Sequence, residues 1–284
     1  MSSVGPTIAL TGATGFLGQH VVRALIDAGW SVRAIARSSA RRPVVADLPL
    51  SWYSTDDAGL AQAVAGASTV MHLATCYGRA GETLGAVLEA NYVLPVRLMS
   101  AAQAAGVPRA LIAGTALPRT LSPYALAKHQ AGEWAALFPN LATTSLDLQH
   151  FYGPGDDTGK FTARVFVACA RGESLDLTDG RQERDFIYID DAVAAILAVL
   201  TTQPASPAVA IGSGRAMTVR AFVEAVHAQT GRRSALHFGA VPTRLGEPAR
   251  LVADTTELRR LGWQPKTDLD AGITHCLAVL KDAP

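Results

Sequence analysis

The chain has little cysteine, little excess charge and no long apolar run. Its 284 residues include three cysteines, Cys76, Cys169 and Cys276, whose number and wide spacing suggest neither a disulfide framework nor a metal knuckle. The formal net charge is +1 and no basic stripe stands out, which argues against binding to nucleic acid or to a membrane surface. Residues 1–12 do not resemble a signal peptide, and the apolar run 192–200 is too short to span a bilayer. These absences favour a cytoplasmic protein without a metal.

Short apolar runs alternate with segments of helical periodicity in the first 152 residues. The runs expected to form strands are 7–10, 32–36, 51–53, 69–73, 110–113 and 143–148, and the clearest helices are 16–28, 88–105 and 124–137. This alternation predicts an α/β fold with a doubly wound parallel sheet. The rhythm breaks after Tyr152. We therefore expect a cofactor-binding domain over 1–152, a smaller substrate-binding lobe over 153–284, and a return to the sheet near 186–212.

A glycine-rich turn joins the first expected strand to the first expected helix. The first glycine at such a junction permits a tight turn, the second lets the backbone approach a pyrophosphate, and the third allows the helix to pack closely on the strand. The residues of this turn predicted to bind a dinucleotide are Gly12, Thr14, Gly15, Phe16, Leu17 and Gly18.

Tyr124 and Lys128 stand four residues apart in an expected helix, which places both on one helix face. We expect the ammonium of Lys128 to lower the pKa of the phenol from its usual value of about 10. Tyr124 could then exchange a proton with a carbonyl that undergoes hydride transfer. A tyrosine and a lysine four residues apart also occur by chance, so the pair supports a catalytic role mainly in combination with the glycine-rich turn. Together the two features predict a nicotinamide-dependent enzyme.

Several motifs, in this order, resemble the extended short-chain dehydrogenase/reductases of the nucleotide-sugar epimerase/dehydratase type, over nearly the whole chain. The matching pieces are residues 11–18, His72-Leu73-Ala74, Asn91, Tyr124 with Lys128, and the segments 152–155, 184–191 and 261–265. More narrowly, Tyr77-Gly78, His150 and Lys160-Phe161 are similar to the 4-ketoreductases of deoxysugar biosynthesis in this family. The resemblance implies a Rossmann sheet with a C-terminal substrate lobe.

The same resemblance places Thr115 with Tyr124 and Lys128 in the catalytic set, where its hydroxyl would bind the substrate oxygen. The alternative is a threonine that only caps the turn after its strand. The segment from Thr115 to Tyr124 is much shorter than usual in the family, which implies a more open entrance. Sugar 4,6-dehydratases of this type carry Asp-Glu directly after the threonine, whereas this chain has Ala116-Leu117. Simple redox chemistry is therefore expected rather than dehydration.

The end of the second strand bears on the choice of cofactor. In proteins of this type a carboxylate there binds the ribose 2′-hydroxyl of NAD, whereas an arginine accommodates the 2′-phosphate of NADP. Arg37 and Ser38 occupy this position and imply NADP(H). NAD(H) stays open if Arg37 is only a solvated loop residue. The resemblance assigns an adenine contact to Asp56, and further cofactor contacts to Leu73, Ala74, Thr75 and Asn91.

The phosphates of a nucleotide sugar require cations or helix ends. The resemblance implies Arg184 and Arg244 for this role, with pairing of Arg184 to Asp185 or Asp190 as the alternative. Asp190 itself is expected to cap a helix that begins at Ala192 rather than to bind a metal.

Four other side chains are implied as substrate contacts: Tyr77, His150, Lys160 and Phe161. His150 could equally be a packed residue at a strand end. Asp147 stands where relatives often have arginine, and the sequence pattern does not explain it.

The function implied by the resemblance is NADPH-dependent reduction of the 4-keto group of a nucleotide-linked deoxysugar. An NAD(P)-dependent 4-epimerase of nucleotide sugars and a reductase of a ketone without a nucleotide stay open. A non-enzymatic regulator that senses NADP is disfavoured because Tyr124 and Lys128 are both present. Relatives dimerise by pairing the helices expected at 88–105 and 124–137, so we expect a homodimer.

Overall fold

The computed structural model describes residues 5–37 and 45–281. Its backbone divides into two compact units, Met1–Asp147 with Ile196–Val209, and Leu148–Ala195 with Ala210–Pro284. The domain boundary expected at Tyr152 stays a prediction.

The strands and helices have the following bounds. The strands are β1 (Thr7–Thr11), β2 (Ser31–Ile35), β3 (Ser51–Tyr53), β4 (Thr69–His72), β5 (Arg109–Ala113), β6 (Ala142–Leu148), β7 (His150–Tyr152), β8 (Leu175–Leu177), β9 (Glu183–Arg184), β10 (Phe186–Tyr188), β11 (Ala208–Ile211), β12 (Met217–Thr218), β13 (Leu236–Phe238) and β14 (Arg250–Leu251). The α-helices are α1 (Phe16–Asp27), α2 (Asp57–Val64), α3 (Leu84–Leu88), α4 (Leu94–Ala104), α5 (Pro123–Trp134), α6 (Phe161–Arg171), α7 (Ile189–Thr201), α8 (Val219–Gln229), α9 (Thr256–Arg260) and α10 (Leu269–Lys281).

Seven of the strands in the described part of the chain form one sheet, in the order β11-β6-β5-β4-β1-β2-β3. Every pair from β6 to β3 is parallel. The order reverses at β1, whose two neighbours are β2 and β4, and the carboxyl ends of strands at such a point are where open α/β sheets bind ligands. The predicted doubly wound Rossmann fold is confirmed.

The main differences from the expected elements lie at two helices. The helix expected at 88–105 begins at Leu84 and is interrupted by a π-turn at Glu89–Val93 before α4 starts. The expectation that Asp190 caps a helix beginning at Ala192 is wrong. Helix α7 begins at Ile189, which places Asp190 and Asp191 in its first turn, where negative charge favours the helix dipole.

The core of the first unit lies between the sheet and helices α2 and α4. Both helices present apolar residues at helical spacing, such as Leu60 and Val64 on α2 and Leu94 and Leu98 on α4, and these pack against strand residues that point to the same face. The cluster comprises Ala9, Ile35, Leu60, Ala63, Val64, Ala67, Val70, Leu94, Leu98, Met99, Ala102, Val107, Ala110, Ile112 and Leu141.

The second unit is built around an aromatic cluster and a buried carboxylate. Tyr152, Phe166, Phe186 and Phe222 contact one another, with the rings of Phe186 and Phe222 stacked at 4.1 Å. The fully buried Asp185 accepts hydrogen bonds from the amides of three residues and from one hydroxyl. The donors are Ser213 N and Oγ (2.8 and 2.6 Å), Gly214 N (2.8 Å) and Ala253 N (3.1 Å). Asp185 therefore ties three segments of this unit together.

Candidate active site

The glycine-rich turn leaves α1 with amides that no side chain caps. Gly15 is the N-cap residue of α1, no side chain bonds to the helix terminus, and the first turn contains no acidic residue. A helix N-terminus of this kind suits an anion such as a pyrophosphate. The described residues therefore fit a dinucleotide at this position.

Two glycines in this turn have a steric reason to be glycine. Gly12 has a φ of +84°, and a Cβ there would lie 2.5 Å from Ala74 N. A Cβ at Gly18 would lie 1.9 Å from Gly12 O. Only glycine allows the turn, the helix and the end of β4 to approach each other this closely.

The three residues of the expected catalytic set lie in the first unit and are all buried. Thr115 follows β5, whereas Tyr124 lies in the first turn of α5, immediately after the N-cap Ser122 and Pro123. Ser122 Oγ accepts a hydrogen bond from Ala125 N at 3.2 Å, and proline at the first helical position favours this start. Tyr124 is 8% exposed and Lys128 is 3% exposed. The structure brings Thr115 close enough to Tyr124 for its hydroxyl to lower the pKa of the phenol.

Lys128 Nζ lies 3.4 Å from the carbonyl oxygen of Ala74, and the turn at Gly12 approaches the amide of the same residue. The amine is therefore placed beside the predicted dinucleotide site. His72, the last residue of β4, bonds through Nδ1 to Thr11 Oγ1 at 2.8 Å. This bond ties the ends of β4 and β1 together.

The expected lowering of the phenol pKa by Lys128 is not found. Burial is the largest effect on both groups. It raises the pKa of Tyr124 above its usual value, and it lowers the pKa of Lys128 to about 7. Because an amine with this pKa is only partly charged near neutral pH, it provides little positive charge to the phenol. The hydrogen bond with Thr115 and the charge of Arg79 act in the opposite direction and lower the pKa of Tyr124.

Tyr77 packs against the phenol ring of Tyr124, and Arg79 lies over the ring of Tyr77. The ring of Tyr77 lies 4.9 Å from that of Tyr124, and the guanidinium carbon of Arg79 lies 5.6 Å from the ring centre of Tyr77. Tyr77 was a predicted substrate contact and is found beside the catalytic phenol. Sequence analysis missed Arg79, although a cation two residues beyond Tyr77 in a polar loop could have been noted.

Asn91 lies in the π-turn before α4 and is fully buried. Its Nδ2 donates to the carbonyl oxygens of Cys76 and Val87 at 2.7 and 2.8 Å, and its Oδ1 accepts from Cys76 N at 3.4 Å. These bonds occupy both amide hydrogens. The structure therefore gives Asn91 a different role from the direct cofactor contact expected: it holds the loop that carries Thr75 and Tyr77. Thr75 itself bonds to Leu73 O at 3.4 Å.

Arg37 is exposed and lies just after β2, as expected for a contact with a 2′-phosphate. Ser38 lies outside the described residues. Asp56 is exposed and is the N-cap of α2, where its Oδ1 accepts from Gly59 N at 2.8 Å. This bond, with others, holds the pKa of Asp56 below its usual value, so the group is a carboxylate near neutral pH.

Three predicted substrate contacts lie in the second unit, near its first strand and helix. His150 opens β7, pairs with Phe186 of β10 and contacts the Phe186 ring at 5.9 Å. Lys160 is the N-cap residue of α6, and its Nζ bonds to Asp156 Oδ1 at 2.7 Å and lies 5.4 Å from the centre of the Phe151 ring. Phe161 is the first residue of α6. Their contacts with a substrate stay predictions.

The side chain of Arg184 bonds to other groups of the protein. This arrangement differs from both roles expected from the sequence, a phosphate contact and pairing with Asp185 or Asp190. It is 3% exposed. Its Nη1 donates to the carbonyl oxygens of Glu183 and Pro248 at 2.8 and 3.0 Å, and its Nη2 lies 2.5 Å from Glu247 Oε1. The partner is thus Glu247 rather than Asp185 or Asp190, and a phosphate would have to replace this carboxylate to bind the Arg184 guanidinium. Arg244 lies on the exposed loop that precedes Glu247.

Among residues 5–37 and 45–281, no group of three or more His, Cys, Asp or Glu side chains is arranged to hold a metal ion. Over the same residues, the model contains no helix with the length and hydropathy that a membrane crossing requires.

The doubly wound sheet and the glycine-rich turn at the start of α1 place this chain among the Rossmann-type enzymes. A family model described as the NAD dependent epimerase/dehydratase family matches residues 8–212. The chain belongs to this family and is an enzyme, so the resemblance drawn from its motifs is confirmed.

Individual relatives are similar over almost the full length. CDP-abequose synthase of Salmonella muenchen is 28% identical over 292 residues, which cover 98% of this chain and 99% of the relative. UDP-glucose 4-epimerase of Azospirillum brasilense is 28% identical over 327 residues, which cover 96% and 91%. The solved structure of MoeE5 in complex with UDP-glucuronic acid and NAD is 29% identical, with a TM-score of 0.85 and coverage of 98% of this chain and 99% of that chain.

The structural role of Arg184 leads to a stability prediction. Arg184→Ala should lower the free energy of unfolding by roughly 3 kcal/mol, because it leaves Glu247 and two carbonyl groups without their buried partner. Urea unfolding followed by circular dichroism measures this change. The matched control is Arg181→Ala, since Arg181 is 88% exposed and pairs only with Asp179. It should change the free energy by less than about 0.5 kcal/mol. Unchanged stability of Arg184→Ala, with a raised KM for a nucleotide substrate, would instead support a phosphate contact.

Proposed function

We propose that this enzyme uses NADPH to reduce the 4-keto group of a nucleotide-linked deoxysugar. The observation that carries the proposal is the buried set of Thr115, Tyr124 and Lys128. Directly after Thr115 stand Ala116 and Leu117, at the positions where a dehydratase would need an acid and a base. The nucleotide-linked substrate is supported by the full-length similarity to CDP-abequose synthase and by the nucleotide sugar bound to MoeE5. Arg244 is the cation that we assign to the phosphates.

Each of the three residues has a defined physical task in this reaction, and Lys128 has two. When bound, NADPH would supply the hydride. Tyr124 donates its phenol proton to the oxygen on which negative charge develops. Thr115 donates a hydrogen bond that orients the same oxygen, and Lys128, once protonated, stabilises the phenolate left on Tyr124 and binds the nicotinamide ribose. The low exposure of Tyr124 and Lys128 keeps bulk water from competing for these interactions.

A 4-epimerase is the second candidate, supported by the similarity to the Azospirillum enzyme. In that reaction a bound nicotinamide would accept the hydride from one carbon and return it to the other face, and the same three residues would remove and return the hydroxyl proton. An epimerase keeps its cofactor, whereas a net reductase exchanges it. Arg37 favours the reductase, because an arginine at this position suits exchangeable NADPH.

We also propose that the enzyme is a homodimer that pairs α3, α4 and α5 of two copies. Apolar side chains are exposed on this part of the first unit, and Trp134 packs edge-on against Tyr92. The exposed residues are Leu84, Leu88, Leu126, Trp134 and Leu137. Exposed apolar side chains on these helices suit an isologous contact between two copies.

The assignment of Arg37 leads to a prediction about cofactor choice. The parent enzyme should bind NADPH more tightly than NADH. Arg37→Ala should weaken NADPH binding by roughly 10- to 100-fold, because it removes a charged hydrogen bond to the 2′-phosphate, and should leave NADH binding unchanged. Isothermal titration calorimetry with both cofactors measures this. Equal affinity of the parent for the two cofactors would refute the assignment.

The role of Tyr124 leads to a prediction about turnover. Tyr124→Phe should lower kcat by roughly 10²- to 10⁴-fold, because it removes the general acid, and should leave the Kd of NADPH nearly unchanged. Tyr92→Phe is the matched control, since Tyr92 lies in the same unit and contacts Trp134. It should keep parental turnover. Near-parental kcat of Tyr124→Phe on a 4-keto nucleotide sugar would show that the proton comes from another group, and His150 would be tested next.

The low pKa of Lys128 leads to a prediction about pH. The proposed role of Lys128 requires the charged form of its amine. Burial lowers the pKa of this amine to about 7, so the charge is lost as the pH rises through this value. The kcat/KM for NADPH, which reports the ligand-free enzyme, should therefore fall above neutral pH by about tenfold per pH unit. Lys128→Arg should be less active but lack this decline, because a guanidinium stays charged. A flat profile of the parent above neutral pH would contradict the prediction.

A further inference from the structure

His129 follows the catalytic lysine on α5, and none of the roles described above uses it. Its Nε2 lies 2.9 Å from the carbonyl oxygen of Leu117. Because a carbonyl oxygen can only accept, this ring nitrogen carries the hydrogen and donates. His129 thus holds the residue that stands two positions after Thr115 in the short segment between Thr115 and Tyr124.

The backbone amide of Leu117, in contrast to its carbonyl, faces Thr115. Leu117 N donates to Thr115 Oγ1 at 3.2 Å. Leu117 also precedes Pro118, which restricts its backbone to extended conformations. Its amide and its carbonyl are therefore fixed relative to each other, and a hydrogen bond on the carbonyl side determines where the amide points.

The amide of Leu117 limits the directions open to the hydroxyl of Thr115. A threonine hydroxyl has one hydrogen and two lone pairs. With one lone pair occupied by Leu117 N, the hydrogen is left to point away from this turn. The phenol of Tyr124, whose pKa the Thr115 hydroxyl lowers, lies within reach of this hydroxyl.

The start of the segment between Thr115 and Tyr124 packs against Asp147 and Ser145 of β6. Ser145 Oγ donates to Asp147 Oδ1 at 2.8 Å, and a Cβ at Gly114 would lie 2.3 Å from Asp147 Oδ1 and 2.4 Å from Ser145 Oγ. The backbone just before Thr115 thus rests directly on this pair. Burial raises the pKa of Asp147, and the neighbouring Ser145 and His129 act in the opposite direction. This packing accounts for Asp147, which the sequence pattern left unexplained.

We propose that His129 is a positioning residue, which holds Leu117 so that the hydroxyl of Thr115 points to Tyr124 and to the substrate oxygen. The inference rests on the proposed function, in which Thr115 orients that oxygen. It adds a residue that acts only through Thr115 and that compensates for the shortened segment between Thr115 and Tyr124.

The kinetic test is a double-mutant cycle with saturating NADPH and a 4-keto nucleotide sugar. His129→Ala should lower kcat by about 10- to 100-fold, the range expected when a reacting group is misplaced, with the Kd of NADPH unchanged. Thr115→Val keeps the shape of the side chain and removes the hydroxyl. In the Thr115→Val background, His129→Ala should have no further effect beyond about twofold. Losses that multiply in the double variant would overturn the proposal.

Two conservative variants separate hydrogen bonding from packing. His129→Gln can place an amide nitrogen where Nε2 lies and should restore most of kcat. His129→Asn carries the same amide on a shorter side chain that cannot reach Leu117, and it should stay as slow as His129→Ala. Equal kcat for the Gln and Asn variants would also overturn the proposal. Circular dichroism and the Tm of each variant verify that the fold is retained.

A second measurement needs no substrate. Hydrogen exchange at the Leu117 amide, followed by NMR in the NADP-bound protein, should become faster in both His129→Ala and Thr115→Val and stay at the parental rate in His129→Gln. An unchanged rate in His129→Ala would refute the role of His129, whatever the enzyme reduces. A parent without turnover on 4-keto nucleotide sugars would refute the proposed function, and the exchange rates would still decide the role of His129.

Discussion

The buried amine of Lys128 is the constraint on which the site depends. Its Nζ lies 3.4 Å from Ala74 O, and the turn at Gly12 approaches Ala74 so closely that any Cβ would collide with it. Burial brings the pKa of this amine to about 7, so its charge near neutral pH depends on what binds beside it. An anionic cofactor on the turn would favour the ammonium form, and that charge would in turn lower the pKa of Tyr124. The effect expected from sequence spacing would therefore require a bound cofactor.

The sheet and the placement of Tyr124 and Lys128 on one helix face could be predicted because they follow from local patterns, whereas Thr115 was implied by the family resemblance. Apolar strands, a glycine turn and i, i+4 spacing are visible in the sequence. Partners distant in sequence were not predictable in this way. Asn91 reaches back to Cys76, Arg184 pairs with Glu247, and Asp185 binds amides at 213, 214 and 253. The sequence motifs drew attention to Asn91, Arg184 and Asp185, but only the fold shows which groups these side chains bond to.

The Arg184-Asp185 pair of the 184–191 segment illustrates the difference between a motif and its role. Both side chains are buried, and both hold loops of the second unit. A substrate role for Arg184 would require it to leave Glu247. The nucleotide assignment therefore depends on Arg244 and on the relatives, whereas the redox chemistry depends on the first unit alone. The two parts of the proposed function can fail independently.

The most direct test of net 4-keto reduction follows the hydride itself. NADPH that carries deuterium at C4 of the nicotinamide, in separate 4R and 4S forms, is incubated with enzyme and a 4-keto-6-deoxy nucleotide sugar, and the product is analysed by mass spectrometry and NMR. We predict one deuterium at C4 of the sugar from one of the two forms, with one NADP⁺ formed for each sugar reduced. A 4-hydroxy nucleotide sugar that is inverted at C4 without NADPH consumption or deuterium incorporation, together with no reduction of the 4-keto sugar, would contradict the account.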